Sequence, residues 1–405
     1  GSGSVLNNVG GFSNQGTIIA NQTTALTIDA NDTDNFDNTS GTLRAASSGT
    51  LNLNSGTYTN TLGSIEATGV GSVVNLNGNS NIVGGNLTTT GGGQIRSNIN
   101  GPAAPVLDGV TVTAGSNLVQ NNQFDTIIRN GITNQGTWNL NGTSVTTNIT
   151  FDGSQTIGGA GEIVMGNGTA NQILSGNANL DTLTLGAGQT IRGAGNLLIG
   201  FGGMVNNGAI RQQGTVVLSI DPGTTDAGLG ANFINNGTLI AEGTGGIVLK
   251  DGIYDNNTTI EAAVGSQVIL NAGATIVGGN LTSTGTGQIR SAVNGSTAPV
   301  LDGVTVTAGS NLVQNNQFDT VIRNGITNQG TWNLNGTTVT TNITFDGSQT
   351  IDGGGEIVMS NSGANRIVSG NANLDTLTLG ASQTVRGAGQ LLIGFGGMVN
   401  NGTID

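Results

Sequence analysis

The residues best suited to chemistry are carboxylates that return at fixed positions: Asp108 with Asp302, Asp152 with Asp346, Asp181 with Asp375, and Glu162 with Glu356. Two acids flanking a glycosidic bond can divide general acid and base work between them. In such enzymes, however, the pair sits in one cleft built by long loops. Here every acid follows a repeat, which is what turn-forming or ladder positions do. Asp125 with Arg129 and Asp319 with Arg323 read as local ion pairs. A denser acidic stretch, Asp29, Asp32, Asp34 and Asp37 with Asn31 and Asn35 between, offers hard oxygen donors of the kind that hold calcium. It lacks the glycine and the closing glutamate of an EF-hand, and the later repeat keeps only Asp221 and Asp226 nearby. A solvated loop is the better reading. The chain has neither cysteine nor histidine, so thiol catalysis, disulfides, most zinc sites and the commonest general base are excluded. The expectation is therefore no catalytic, cofactor-binding or metal-binding residue, no cofactor and no enzymatic activity.

These acids belong to a chain of 405 residues of which 72 are glycine, with 35% hydrophobic, 8% charged and 3% aromatic residues. Ten basic residues face 23 acidic ones, a formal charge of −13, and Lys250 is the only lysine. Nucleic-acid binding needs clustered Lys and Arg to neutralise phosphates, and an anionic membrane surface makes the same demand. Neither partner fits. No apolar run approaches the ~18 residues that span a bilayer, so no membrane insertion is expected. The opening Gly1-Ser2-Gly3-Ser4 reads as an added linker, and the chain is expected to be cut from something longer.

Internal repetition decides the architecture. The stretch from Ile82 to Ile210 returns from Ile276 to Ile404 without a gap and with most residues unchanged. Tyr58 answers Tyr254, and Phe12, Met204 and Met398 open the same phrase. The expected organisation is one continuous solenoid over residues 1–405, with tandem units at about 12–203 and 204–397 and the start of a third at 398–405. Within each unit a triplet Asn-(Asn/Gln)-Gly, then Thr or Ala, leads into Ile18, Trp138, Ile210, Leu239, Trp332 or Ile404. Asn and Gly enter left-handed backbone cheaply, so each triplet reads as a tight corner. Between corners, segments such as Trp138-Asn139-Leu140 alternate with the period of a strand. Helix is excluded because glycine interrupts nearly every window. A solenoid accepts whole added units, since each coil touches only its neighbours. The predicted fold is all-β, a right-handed parallel β-helix with coils of about 20 residues. Inward Ile, Val and Leu would stack as a core, Asn at equivalent corners would form ladders, and Trp138 and Trp332 would fill core positions.

The phrases "TIRGAGNLLIGFGGMVNNGAI" and "NNGTLIAEGTGGIVLKDGIYDNNTTIEAAVGSQVILNAGATIVGGNL" resemble repeats of large bacterial exported proteins. These are the β-helical passengers of autotransporters and the adhesins of filamentous-haemagglutinin type. The resemblance covers essentially the whole chain. It implies an extracellular or cell-surface location and a structural, adhesive or fibre-forming role, and it supplies no catalytic residues. Expected partners are further copies of the chain, head to tail or side by side, and surface glycans or the surfaces of host or neighbouring cells. The alternative reading is a β-helix that binds or cleaves polysaccharide. Asn-x-Ser/Thr sequences, as at Asn141, Asn148, Asn335 and Asn342, are expected by chance in such a composition. Thr-x-Thr pairs such as Thr111/Thr113 and Thr305/Thr307 resemble ice-binding faces but do not recur in every coil.

Overall fold

Alternating residues dictate the unit of structure. In Thr50–Leu53, Leu51 and Leu53 are buried while Thr50 and Asn52 are half-exposed, and the same pattern holds in Val73–Leu76 and Glu162–Met165. A strand of this kind has one apolar face and needs partners on both edges. The computed structural model describes residues 1–5, 11–30, 35–176, 181–223, 232–370, 375–393 and 396–405. It is all-β: short strands pair in parallel with the strands one coil earlier and one coil later, in three sheets that form a β-solenoid. The helical elements among the described residues are two single turns, Gly101–Ala103 and Gly295–Thr297.

The chain forms two compact units, one of residues 1–202 with 207–209, the other of residues 203–206 with 210–405. In the first, parallel register stacks Leu26, Leu51, Val74, Ile95, Leu118, Trp138, Ile163 and Ile191 in one inward row. All eight are buried. In the second, Ile247, Val268, Ile289, Leu312, Trp332, Ile357 and Val385 make the corresponding row, again all buried. Each such side chain contributes about 1.5–3 kcal/mol by leaving water. The tryptophans are core residues, and their indole N–H groups donate to Gln120 and Gln314 at 2.8 Å.

Coil length departs from the single expected value. The step from Leu118 to Trp138 matches it, but the steps from Leu26 to Leu51 and from Ile163 to Ile191 are longer. Strand register must be kept, because a slip by one residue would turn the apolar face outward. The differences are therefore absorbed in the loops.

The corners also work differently from expectation. Neither the Asn nor the Gly of the triplets at Asn134, Asn206 and Asn328 has a positive φ. The glycine is required by close approach instead. A Cβ on Gly136 would lie 2.5 Å from the Ser116 carbonyl oxygen, and one on Gly330 2.5 Å from that of Ser310. On Gly208 it would come closer still to the Gln189 oxygen. The asparagine that opens each triplet is turned inward. Asn14, Asn134, Asn206, Asn235 and Asn328 are buried, and only Asn400 of the six is exposed.

These inward amides form ladders. Asn14 donates to Asn38 at 2.7 Å and Asn38 to Asn60 at 2.6 Å. In the other unit Asn206 donates to Asn235 at 2.8 Å and Asn235 to Asn256 at 2.9 Å. One amide group per coil thus satisfies the next, which is what a buried polar group requires.

Candidate functional site

In each unit one recurrent aspartate stands on a flank beside a single turn. The turn Gly101–Ala103 of the first unit carries Pro102 at its start. Asp125, just before the strand Thr126–Arg129, reaches back to it: Oδ2 accepts the Gly101 N–H at 2.7 Å, and Oδ1 accepts the Asn148 N–H at 2.9 Å. One carboxylate therefore ties three successive coils. Burial pushes its carboxyl above the ordinary range, opposed by the N–H donors. The second unit repeats the arrangement, with Asp319 accepting from Gly295 at 2.8 Å and Asn342 at 2.9 Å.

Arg129 does not pair with Asp125, nor Arg323 with Asp319. Arg129 binds Asp152 and Arg323 binds Asp346, each at 2.7 Å. The reason is geometric. Four residues along a strand span about 13 Å, whereas the neighbouring coil is about 4.8 Å away. Ion pairs in this fold therefore run between coils. Asp108 and Asp302 accept from the side chains of Asn130 and Asn324 at 2.7 and 2.6 Å. Asp181 and Asp375 accept from Ser175 and Ser369 at 3.3 Å. Away from this flank, Glu162 takes two hydrogen bonds from Arg192, at 2.7 and 3.0 Å, and Glu356 two from Arg386, at 2.7 and 3.1 Å. The arginine beside each holds its carboxyl below the usual range.

Beside Asp125 the flank is hollowed into an open groove of about 410 Å³, lined by Pro102, Ile127, Thr150, Asp152 and Ser175 among others. Asp125 and Asp152, to which the sequence pattern alone assigns separate roles, both line it. A general acid needs a proton on an oxygen facing its substrate. Both Asp125 oxygens instead accept main-chain N–H groups, and Asp152 is engaged by Arg129. No protein-family model matches this chain, and no curated protein is similar to it. The groove's acids are thus understood by their contacts alone. They fasten coil to coil.

The acidic stretch near the start of the chain is partly placed. Asp37 accepts from Ser13 at 3.0 Å and from the Thr39 N–H at 2.9 Å, and the bonds from Thr39 lower its pKa most. Asp32 and Asp34, like Asp226, lie outside the described residues. Asp221 pairs with Lys250 at 3.3 Å. Among the described residues no three acids come together as a metal would require. One threonine of each pair is also engaged between coils: Thr113 meets Thr88, and Thr307 meets Thr282, both at 3.0 Å.

Sequence reasoning misses one polar site altogether. The Asn122 side-chain oxygen accepts three consecutive N–H groups, from Thr143, Ser144 and Val145, at 2.9–3.1 Å. Asn316 does the same with Thr337, Thr338 and Val339, at 2.9–3.2 Å. The only signal is the unchanged return of "VQNNQFDT" in both repeats.

Proposed function

We propose that this chain is a structural, adhesive or fibre-forming repeat segment of a giant bacterial surface protein, acting outside the cell. One observation carries the reading: of the recurrent carboxylates, the groups best suited to catalysis, Asp108, Asp152 and Glu162 with their repeats Asp302, Asp346 and Glu356 are engaged in coil-to-coil contacts at nearly the same distances in both repeats. Such use makes the solenoid itself the product of the sequence, with outward Thr, Asn and Ser presenting a hydrated surface. The test pairs adhesion of chain-coated beads to cells and glycan arrays with lyase and hydrolase assays on acidic polysaccharides. Adhesion without turnover is the expected outcome. Turnover abolished by Asp152→Ala would overturn the reading.

A second reading, binding of polysaccharide along the flank, is favoured by the groove where Asp152 and Thr150 stand beside Pro102 and Ile127. Polar groups next to small apolar surface suit a sugar's hydroxyl edge and its apolar face. Saturable glycan binding lost in Thr150→Ala and unaffected by Asn257→Ala would establish it.

A further inference from the structure

Asn-Gly is a sequence with an intrinsic chemical hazard. The glycine nitrogen, once it gives up its proton to hydroxide, attacks the asparagine Cγ. A C–N bond forms, the Cγ–Nδ2 bond breaks and ammonia leaves. The resulting succinimide takes up one water and opens to aspartate or isoaspartate. The nucleophile is the glycine N–H, so its hydrogen bond controls the reaction as much as access to water does.

Three of the Asn-Gly corners that recur in the two repeats share one construction, and all six of their asparagines are exposed. In each, a side-chain oxygen from the next coil takes the glycine N–H. Gly101 and Gly295 donate to Asp125 and Asp319, at 2.7 and 2.8 Å. Gly131 and Gly325 donate to Gln155 and Gln349, both at 2.8 Å. Gly142 and Gly336 donate to Asn171 and Asn365, both at 2.7 Å. Three different side chains, one carboxylate and two amides, serve one purpose at three different corners.

Asn77-Gly78 in the first unit is built otherwise. Its asparagine is half-exposed and is the middle rung of an outer ladder, donating to Asn54 at 2.8 Å and accepting from Asn98 at 3.1 Å. That ladder holds the Cγ in place. Among the described residues nothing accepts the Gly78 N–H. The equivalent position in the second repeat is Asn271-Ala272, where a Cβ hinders ring closure. The second unit has its own counterpart in Asn236-Gly237. Asn236 is exposed, its side-chain oxygen is held by Asn257 at 2.9 Å, and among the described residues nothing accepts the Gly237 N–H.

We propose that Asn77 and Asn236 are sites of spontaneous deamidation in the folded protein, and that the coil-to-coil acceptors are chemical locks that spare Asn100, Asn130 and Asn141. Conversion at Asn77 places a carboxylate, or an extra main-chain carbon, in the middle of the outer ladder. Its bond to Asn54 is then lost, so the modification marks age and loosens one coil.

The experiment is incubation of the folded chain at mildly alkaline pH, with peptide mapping by mass spectrometry over time. Asn77 and Asn236 should convert before Asn100, Asn130 and Asn141, although those three are more exposed than Asn77. In urea the order should vanish. Gln155→Ala should speed conversion at Asn130 by roughly tenfold, the worth of one hydrogen bond, and leave Asn141 unchanged. Gln349→Ala tests the same lock at Asn324 in the other unit, so a folding defect in one variant does not decide the matter. Gly78→Ala should silence Asn77. It is a mild change, since the added Cβ would lie no closer than 3.4 Å to Ala103 and Ile99 and the φ is not positive. Conversion of Asn130 or Asn141 in the folded chain as fast as Asn77 would overturn the proposal. So would a Gln155→Ala protein that folds and leaves Asn130 unaffected.

Discussion

Replacing Asn38 by alanine tests the inward ladder most directly. Asn38 is fully buried and bonds upward and downward: Asn14 donates to its oxygen at 2.7 Å, and its nitrogen donates to Asn60 at 2.6 Å. Alanine removes both ladder bonds, each worth about 1 kcal/mol net, together with a longer one to the Gly41 carbonyl at 3.2 Å. It also strands the buried Asn60 Oδ1, which has no other donor among the described residues, at about 1–3 kcal/mol. Asn14 keeps a second acceptor in the Thr42 carbonyl at 3.3 Å, so its share is smaller. The sum is about 3–5 kcal/mol, confined to the coils around the lesion because a solenoid's contacts are local. Asn257→Ala is the control. It breaks an Asn–Asn bond of 2.9 Å to Asn236, but both residues are exposed, and the cost should stay below about 0.5 kcal/mol. Hydrogen exchange of the Asn60 and Ser64 amides is the assay, since those N–H groups bond the coils on either side of the ladder. Protection should fall at least about a hundredfold in Asn38→Ala and hardly at all near Asn257 in the control. Equal losses would show that burial does not set the value of these amides, and the reasoning would fail.

Gly63→Ala should destabilise its coil by about 2 kcal/mol or more, because the new Cβ would overlap the Asn38 carbonyl oxygen. Gly354→Ala meets nothing within 4 Å and should be neutral in the same thermal melt. The Glu162 carboxyl is held below its ordinary value by Arg192, so its contribution is present above the unfolded pKa and is lost as pH falls through the folded one. Both side chains are about a third exposed, so the effect is under about 1 kcal/mol. It should disappear from acid titrations of Arg192→Met. Chelation of divalent ions should leave the melting temperature unchanged, and a large fall would point to a metal held by the Asp29–Asp37 stretch.

The parallel solenoid is legible because strand alternation is a local property: Leu51 and Leu53, or Trp138 and Leu140, declare their faces without help from the rest of the chain. Coil length is not, because it depends on loops. The step from Glu162 to Thr190 is much longer than that from Asn117 to Thr137, yet the strands at both ends look alike. The same ignorance hides the ion pairs. Arg129 meets Asp152 only because the loop between them closes one coil, and sequence proximity points to Asp125. The corner triplets are found for a reason that does not operate there. Asn and Gly imply left-handed backbone, whereas Asn134 is a buried donor and Gly136 is a gap left for a neighbouring carbonyl.

Such glycines set a rhythm of tolerance. Outward strand positions such as Asn52 face solvent and accept many side chains, whereas any β-carbon at Gly41, Gly63 or Gly85 would collide with a carbonyl oxygen of the coil before. Every missense change at a glycine codon introduces a β-carbon, so these codons have almost no tolerated neighbours. A saturation library of this chain would lose variants at a beat of one coil, first at Gly41, next at Gly63 and again at Gly85. The intervals of drop-out in such a library would count the coils without any coordinates.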